Sequence, residues 1–391
     1  MASNVRHSER PLASRSPTFF YVNAIDDRKP IAQSSFERQF ISYLSDEDQQ
    51  PVFVTPAPAR QRARFHLQLP AKTRRPWSRL LFWIRQYRLL ERALRRHGPL
   101  PVYFRSSGNL LVPVLFANRH HLPITIRMGP GHFDLFFYHR IPRLLTPVVR
   151  RYYQRVIDGA TNIVVVTAQI KETLLAHYRV LPDKITVVPN PAPTDWRARV
   201  CPPLPATTGL TIGYVGSLHA DQGLFTVAEA LLRLHQRQQL PADLRLILVG
   251  DGPDRPRLEA FVAEHALRGH VHFVGRLAQD RLAEHYATFD CVVAPYSHAF
   301  NRVKGSSALK LTEYLSYGQY VLAAAIADYE FLATEKLGAL YELENADALA
   351  DLLLATYRQP PGRVDARAYL AHHRDESIIF PRYLELILGD E

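Results

Sequence analysis

The sequence is poor in cysteine and has no long apolar run. Only two cysteines occur in 391 residues, Cys201 and Cys291, and neither belongs to a Cys-x-x-Cys pair or a His/Cys cluster. This argues against a disulfide scaffold and a structural zinc site, and it fits a reducing compartment. No apolar stretch approaches the roughly 18–20 residues that span a bilayer. Residues 1–17 are polar and lack the apolar core of a signal peptide, so we expect a disordered tail and a cytoplasmic protein with at most peripheral membrane contact.

Acidic residues are scarce in the first half of the chain. Residues 1–190 hold 29 Lys and Arg against 12 Asp and Glu, which gives +17, whereas residues 191–391 give −6. The overall charge of +11 therefore combines a strongly basic half with a mildly acidic one. Such an asymmetry indicates an anionic partner for the first half, either nucleic acid or a membrane surface.

Short β-rich runs alternate with helical patterns along the chain, which predicts an α/β protein with two doubly wound, Rossmann-like domains. Proline-rich sequence over 190–205 interrupts the alternation and marks the boundary. We predict a first domain over 18–200, a second over 206–372, and a terminal helix over 377–391 for which packing on the first domain is one option. Ligands of open α/β sheets bind at the carboxyl ends of strands, so the cleft between two such domains is the expected active site.

Glycines mark one predicted strand–helix turn. The run from Gly213 to Leu218 ends a strand, and Gly223 opens the following helix. Such a turn lets backbone N–H groups approach a phosphate at a helix N-terminus. A turn that needs glycine only for tightness is an equally good interpretation.

A second candidate helix begins near Ser306 or Ser307, either of which can serve as N-cap. Lys310 and Glu313 follow on roughly the same helical face. The lysine suits a phosphate, and the carboxylate suits a pair of sugar hydroxyls. The alternative is a capped surface helix with one Lys–Glu pair three residues apart.

Taken together, the motifs resemble the retaining glycosyltransferases of family 4, which have the GT-B fold. The resemblance rests on the order and spacing of four segments and covers about residues 160–345; the segments are 213–223, 248–253, 271–277 and 309–318. It implies a nucleotide sugar as co-substrate and no other cofactor. It also implies a glycan or lipid-linked acceptor.

The resemblance also implies roles for individual residues. It places Gly216, Ser217 and Gly223 at the diphosphate, and Arg276 and Leu277 near the base. The full donor-binding set that it indicates is Gly216, Ser217, Gln222, Gly223, Gly250, Arg276, Leu277, Ser306, Ser307 and Ala308. Lys310 would hold phosphate, Glu313 the ribose hydroxyls, and His132 the donor sugar. A solvated or structural His132 is the alternative.

The chain departs from the family pattern at three places. Ser217 stands where the family usually has Arg, Gln222 where it has Lys, and Gly305 where it often has Glu. The first domain also has 23–30 in place of a double-glycine loop. We expect no metal site, because the only Asp-x-Asp, Asp46 to Asp48, reads as a solvated acidic turn far from the donor motifs.

Residues 72–97 carry nine basic residues and one acidic residue, and the apolar spacing predicts a helix over 76–97. Leu80, Trp83, Tyr87, Leu90 and Leu94 form the stripe expected to face the core. We place Phe82 and Leu89 on another face, beside Arg85, Arg92 and Arg96, and interpret that face as a contact with an anionic membrane. The alternative is a solvated basic face. Nucleic acid is not expected, since no nucleic-acid module is visible.

The sequence therefore predicts a membrane-associated glycosyltransferase that builds a cell-envelope or lipid-linked glycan. A partner subunit that binds nucleotide sugars without turnover is one alternative, and a sugar-nucleotide epimerase is another. The particular nucleotide, sugar and acceptor stay open, as does the oligomeric state.

Overall fold

The computed structural model describes most of the chain. The described residues are 16–23, 32–47, 49–55, 65–68, 76–105, 111–128, 143–199, 209–297, 309–327 and 329–389. Four predicted site residues, His132, Ser306, Ser307 and Ala308, lie outside them. The predicted domain boundary near 200–206 also falls outside the described residues.

Thirteen strands lie in the described part of the chain. They are β1 (Phe20–Asn23), β2 (Val52–Thr55), β3 (Phe65–Gln68), β4 (Val102–Arg105), β5 (Ile124–Met128), β6 (Asn162–Val165), β7 (Ile185–Val187), β8 (Leu210–Val215), β9 (Leu244–Val249), β10 (Val271–Gly275), β11 (Cys291–Ala294), β12 (Val321–Ala324) and β13 (Gly338–Tyr341). Among these thirteen strands, β3 alone lies outside the β-rich runs that the sequence pattern shows. Phe65–Gln68 is short and contains two polar residues, so its local pattern is weak.

The α-helices of the described residues alternate with these strands. They are α1 (Ala32–Asp46), α2 (Pro76–His97), α3 (Leu111–Arg119), α4 (Thr146–Gly159), α5 (Ala168–His177), α6 (Leu224–Gln236), α7 (Arg255–Glu264), α8 (Leu282–Thr288), α9 (Leu309–Ser316), α10 (Phe331–Thr334), α11 (Ala346–Arg358), α12 (Arg367–His373) and α13 (Glu376–Leu388). None of them has the length and apolar character needed to span a bilayer.

The strands form two sheets with related orders. The first sheet has the order β3-β2-β1-β4-β5-β6-β7, and the second has the order β10-β9-β8-β11-β12-β13. Every neighbouring pair of the second sheet is parallel, as are the pairs from β3 to β5 in the first. Both orders reverse direction beside their first strand, which is the switch point at which doubly wound sheets bind ligands.

The chain divides into two compact units. The first contains Met1–Arg127, Pro147–Ile163 and Leu384–Glu391, and the second contains Met128–Thr146 and Val164–Tyr383. In the first unit, the backbone carbonyl of Leu386 accepts a hydrogen bond from Asn162 Nδ2 at 2.8 Å and another from Thr125 Oγ1. The end of α13 is thus tied to the strand edge of this unit.

The central strands of the second sheet are almost continuously apolar. All four residues of β11 and of β12 are buried, which is typical of parallel strands covered by helices on both faces. Helices α6 and α11 contact each other beside this sheet and bury Leu231, Leu234, Leu349 and Leu353. This packing provides a rigid base for the turns at the carboxyl ends of the strands.

The first unit buries an ionic cluster at its own switch point. Glu37 of α1 forms an ion pair with Arg105, the last residue of β4, and Glu37 is fully buried. The guanidinium of Arg127 lies 3.6 Å from the centroid of the Phe36 ring, and that of Arg105 lies 5.8 Å from the same centroid. Burial lowers the pKa of Arg105, and the carboxylate of Glu37 opposes that shift.

Helix α2 has the predicted bounds but a different buried face. Phe82, Gln86, Leu90 and Ala93 are at most 2% exposed. At about 100° per residue, this face is rotated by roughly 80° from the predicted stripe. The rotation arises because α2 contacts both β2 and α3 and shares its apolar surface between them.

The interpretation of Phe82 as a membrane-facing residue is therefore wrong. Its side chain is 2% exposed, so it belongs to the core. Leu89 is half-buried at the border of that face, whereas Arg85, Arg92 and Arg96 are exposed.

We expect substitution of Glu37 by glutamine to destabilise the first unit. The change removes the negative charge of Glu37 from the buried guanidinium of Arg105, and breaking a buried pair in this way costs about 3–5 kcal/mol in comparable cases. Urea unfolding followed by circular dichroism measures the effect. Glu47→Gln, at an exposed position of the same unit, serves as the control and should change the free energy of unfolding by less than about 0.5 kcal/mol. Equal unfolding curves for the two variants would contradict the assignment.

Candidate active site at the switch point of the second sheet

The candidate site lies where the order of the second sheet reverses, between β8 and β11. The chain leaves β8 through Gly216 and Ser217 and leaves β11 towards Tyr296. These two exits meet, because the backbone N–H of Tyr296 donates to the carbonyl of Gln222 at 3.1 Å. The switch point thus joins the turn after β8 to the turn after β11.

Glycines allow backbone segments to approach closely here. A Cβ on Gly250 would lie 1.8 Å from the carbonyl oxygen of Gly216, and a Cβ on Gly223 would lie 2.3 Å from the carbonyl oxygen of Tyr296. Both glycines have positive φ, +137° and +67°, which side-chain-bearing residues rarely adopt. Tyr296 itself has φ 49°, a strained backbone at the site. Glycine is therefore required at 223 and 250 by packing alone.

Tyr314 of α9 fixes the end of β8. Its hydroxyl accepts a hydrogen bond from the backbone N–H of Val215 at 3.0 Å and donates to the carbonyl of the same residue at 2.9 Å. The hydroxyl satisfies two buried backbone groups that the sheet leaves unpaired at this point. It thereby holds α9, with Lys310 and Glu313, beside the glycine turn.

Lys310 occupies an aromatic pocket at the switch point. Its Nζ lies 4.3 Å from the centroid of the Tyr296 ring and 4.9 Å from that of Tyr214. Nζ donates a hydrogen bond to Oε1 of Gln222 at 2.5 Å. Burial lowers the pKa of Lys310 to about 7, a shift that the nearby carboxylate of Asp221 opposes. The pocket therefore holds an ammonium group that a bound anion would stabilise.

Gln222 connects the lysine to the turn after β8. Its Nε2 donates to Oδ1 of Asp221 at 3.2 Å, and the Tyr214 hydroxyl lies 3.4 Å from its Oε1. The same hydroxyl donates to the carbonyl of Ser217 at 2.8 Å. The structure thus brings Gly216, Ser217 and Gln222 of the predicted donor-binding set together with Lys310, the predicted phosphate-holding lysine. Gly223 and Gly250 pack against the same backbone.

Glu313 lies one turn beyond Lys310 and forms a second polar cluster. Its Oε1 accepts a hydrogen bond from Nε2 of Gln279 at 2.8 Å and lies 3.8 Å from Nη1 of Arg199. Burial raises the pKa of Glu313, whereas the Arg199 cation and the hydrogen bond from Gln279 lower it. Arg276 is exposed and Leu277 is half-buried, and both precede Gln279 in the segment after β10.

Sequence reasoning missed the residues that shape these clusters, namely Tyr214, Tyr296, Tyr314, Arg199 and Gln279. Three of them carried a usable signal: Tyr214 and Tyr314 lie inside motif segments, and Tyr296 lies two residues after the end of a buried strand. Arg199 carried none, because it is more than 100 residues from Glu313 and lies beside the proline-rich boundary.

The geometry defines a class of protein. A parallel sheet of this order, with a glycine turn and a half-buried lysine at its switch point, resembles the α/β domains that bind nucleotides and other anions at this place. The lysine supplies positive charge, and the glycine turn allows close approach of a phosphate. One helical turn beyond Lys310, the carboxylate of Glu313 can accept hydrogen bonds from hydroxyl groups.

Family models match both parts of the chain. The model described as Glycosyl transferases group 1 matches residues 209–359, and Glycosyltransferase Family 4 matches residues 37–196. Together they cover most of the chain, which belongs to the family 4, group 1 glycosyltransferases.

Two curated relatives match part of the chain. The 2-deoxystreptamine glucosyltransferase of Streptomyces kanamyceticus is 27% identical over 168 residues, 40% of this chain and 42% of the relative. The D-inositol 3-phosphate glycosyltransferase of Stackebrandtia nassauensis is 31% identical over 186 residues, 44% of this chain and 40% of the relative. The chain thus matches less than half the length of either relative.

Solved structures share the fold along nearly the whole chain. A glycosyltransferase from Rickettsia africae has a TM-score of 0.68 at 17% identity and covers 97% of this chain and 100% of its own. Anabaena HepE, solved with UDP and glucose, has a TM-score of 0.66 at 15% identity and covers 96% and 100%. These likenesses confirm the predicted class of two Rossmann-like domains, the GT-B fold.

We expect binding of a nucleoside diphosphate to become pH-dependent through Lys310. In the free protein the ammonium loses its proton above a pKa of about 7, whereas a bound diphosphate keeps it charged. Binding above pH 7 therefore takes up a proton, and affinity should fall by up to about tenfold per pH unit from pH 7.5 to 9. Isothermal titration with UDP across this range measures the slope.

Lys310→Met is the control for the ligand's own ionisation. The variant should bind UDP more weakly at pH 6.5 and lose the additional slope at higher pH. The expectation fails if wild type and variant show the same pH dependence. Folding stability depends on the same proton. Below pH 7 the charged lysine destabilises the free protein fully, and this cost disappears as pH rises towards 10.5, the ordinary pKa of a lysine.

Proposed function

We propose that this protein is a glycosyltransferase that moves a sugar from a nucleotide-sugar donor to a glycan or lipid-linked acceptor. The observation that carries the proposal is the Lys310 ammonium, held between two tyrosine rings at the switch point of the second sheet. Breaking the bond between the sugar and the diphosphate develops negative charge on the leaving phosphate. A preorganised ammonium in a partly dehydrated pocket stabilises that charge.

The chemistry follows from these groups without a metal in the proposed mechanism. Lys310 neutralises the leaving diphosphate, and the backbone of Gly216 and Ser217 lies beside it. Glu313 accepts hydrogen bonds from the ribose hydroxyls. Following the family, we propose that the anomeric configuration is retained. Full activity in the presence of a chelator would support the metal-free mechanism.

UDP-glucose is the first donor to test. HepE, which shares the fold, has been solved with UDP and with UDP-glucose. The curated relatives named above transfer sugars, one of them a glucose. A panel of UDP-, GDP-, ADP- and dTDP-sugars extends the test to other nucleotides.

Substitution of Lys310 or Glu313 should impair transfer in different ways. Lys310→Ala should lower the transfer rate by about 10²–10³-fold, the usual cost of one electrostatic group at a developing anion. Glu313→Ala should mainly raise the donor KM, by about tenfold or more, through lost hydrogen bonds to a charged acceptor. The assay measures release of free nucleotide that depends on the acceptor.

The controls are Lys171→Ala on α5 and Glu229→Ala on α6, two residues that are not among those forming the site. Their rates should equal the wild-type rate. Donor binding without turnover across the whole panel would instead support the alternative function, a partner subunit that binds nucleotide sugars. Gln222, which stands where the family usually has a cation, favours this alternative. Interconversion of nucleotide sugars without an acceptor would support the epimerase.

We also propose that the first unit binds an anionic membrane, through the outer face of α2. This basic face consists of Leu81, Ile84, Arg85, Arg88, Arg92, Arg95 and Arg96, all exposed. At about 100° per residue they fall within an arc of roughly 120°. Leu81 is 54% exposed and Ile84 41%, so two apolar side chains stand among five arginines. Each arginine near such a surface contributes about 1 kcal/mol.

Liposome flotation tests the basic face directly. Wild-type protein should float with vesicles of phosphatidylglycerol and phosphatidylcholine at low salt. Leu81→Ser combined with Ile84→Ser should lower the bound fraction, because two apolar side chains no longer enter the bilayer boundary. Arg88→Gln combined with Arg92→Gln should weaken binding by about tenfold or more.

The matched control removes two exposed apolar side chains from the second unit. Leu181 and Ile378 are 75% and 44% exposed, so Leu181→Ser with Ile378→Ser makes an equivalent change in residues that do not belong to α2. This control should float like wild type. Failure of the wild type to float would refute the membrane proposal and leave the transfer proposal standing.

A further inference from the structure

The carboxylate of Glu313 is held asymmetrically. Gln279 donates to Oε1 at 2.8 Å, and Arg199 Nη1 lies 3.8 Å from the same oxygen. No hydrogen bond to Oε2 comes from any residue that the structure describes, and the side chain of Glu313 is 20% exposed. One carboxylate oxygen is therefore anchored to the protein while the other can accept hydrogen bonds from a ligand.

Contacts with residues other than Glu313 hold the Arg199 side chain in place. Its Nε and Nη2 contact Oδ1 of Asp195 at 3.0 and 2.9 Å, and its Nη1 donates to Oγ of Ser316 at 3.0 Å. The guanidinium also lies 4.7 Å from the centroid of the Tyr317 ring. With 7% of its side chain exposed, Arg199 has little freedom to move. A planar group held on several sides provides a fixed charge beside the carboxylate.

The neighbouring segments complete the anchor. Tyr317 stacks on Tyr286 at a centroid distance of 4.4 Å, so the ring below Arg199 is part of the core. The hydroxyl of Ser316 donates to the carbonyl of Glu313 at 2.7 Å, which couples Arg199 to the backbone of α9 as well. Gln279, in contrast, is exposed and comes from the segment after β10. Three separate parts of the second unit thus converge on one carboxylate.

The charged groups around Glu313 also favour its ionised, anchored form. Burial raises the pKa of Glu313, while Arg199 and Gln279 lower it and Asp195 raises it. Lys310 is the other charged residue nearby on α9. Removal of Arg199 should therefore raise the pKa of Glu313 further, and a protonated carboxyl is a poorer acceptor.

We infer that Arg199 and Gln279 are positioning residues that orient the Glu313 carboxylate so that its Oε2 accepts hydrogen bonds from the ribose hydroxyls of the donor. This inference rests on the proposed function and deepens it. Neither residue needs to touch the ligand. Their effect on binding passes through the orientation and ionisation of Glu313.

The experiment compares each nucleoside diphosphate with its 2′-deoxy form. Isothermal titration of UDP and 2′-deoxy-UDP, with the corresponding ADP and GDP pairs in parallel, gives a ribose preference for each variant. The wild type should prefer the ribose form by about tenfold or more, since hydrogen bonds to a charged acceptor are strong. Glu313→Ala should reduce this ratio to about one. Arg199→Met and Gln279→Met should reduce it to about two to three, and Arg199→Lys should restore part of it.

A pH series adds a readout that a merely structural role would not change. Protonation of Glu313 at low pH removes the ribose preference. In Arg199→Met and Gln279→Met that loss should occur at higher pH than in the wild type, because each substitution removes a group that lowers the pKa of Glu313. Gln279→Met replaces an exposed side chain, so folding is not at risk if Arg199→Met proves unstable.

The possible outcomes separate the two proposals. A wild-type ribose preference that disappears in Glu313→Ala but persists in both Arg199→Met and Gln279→Met would overturn the inference and leave the proposed function intact. A wild-type protein that binds none of the diphosphates would overturn the proposed function, and the inference with it.

Discussion

The double hydrogen bond between the Tyr314 hydroxyl and the backbone of Val215 is the contact on which the site depends. It closes the end of β8, where parallel pairing stops, and it fixes α9 against that end. The close approach of Gly250 to Gly216 then sets the path of the turn. Lys310 and Glu313 take their positions from this frame, one and four residues into the helix. A change in the frame would move both groups together.

The half of the chain that holds the candidate site is mildly acidic, so any attraction of an anion to this site must come from local groups and not from net charge. Local geometry resolves this, because Lys310 is enclosed by two tyrosine rings and contacts a neutral amide oxygen. A half-buried ammonium beside two aromatic rings, with a neutral hydrogen-bond partner, loses part of its solvation, which lowers its pKa to about 7. In the proposed function, a bound diphosphate would stabilise the charged form of this lysine. Gln222, a departure from the family pattern, contacts Lys310 directly and therefore shapes the ligand-free site.

Much of the architecture could be predicted from sequence periodicity. The alternation of apolar strands and helices indicated two doubly wound sheets, and the bounds of α2 agree with the helix predicted over 76–97. β3 was missed because four residues with mixed polarity carry almost no periodic signal. The buried face of α2 was misplaced because Phe82 and Trp83 are both apolar, and only the contacts with β2 and α3 select which of them enters the core.

The sequence by itself determined the class of fold, the glycine turn after β8, and Lys310 and Glu313 as the polar pair of α9, since these depend on local pattern and spacing. Tertiary structure alone decided which residues surround that pair. Arg199, Gln279 and Tyr296 reach it from segments far apart in the chain, and periodicity carries no information about contacts between distant segments. The same reason explains why Phe82 was wrongly predicted to be exposed, because the burial of a side chain depends on the elements that pack against its helix and not on the helix alone.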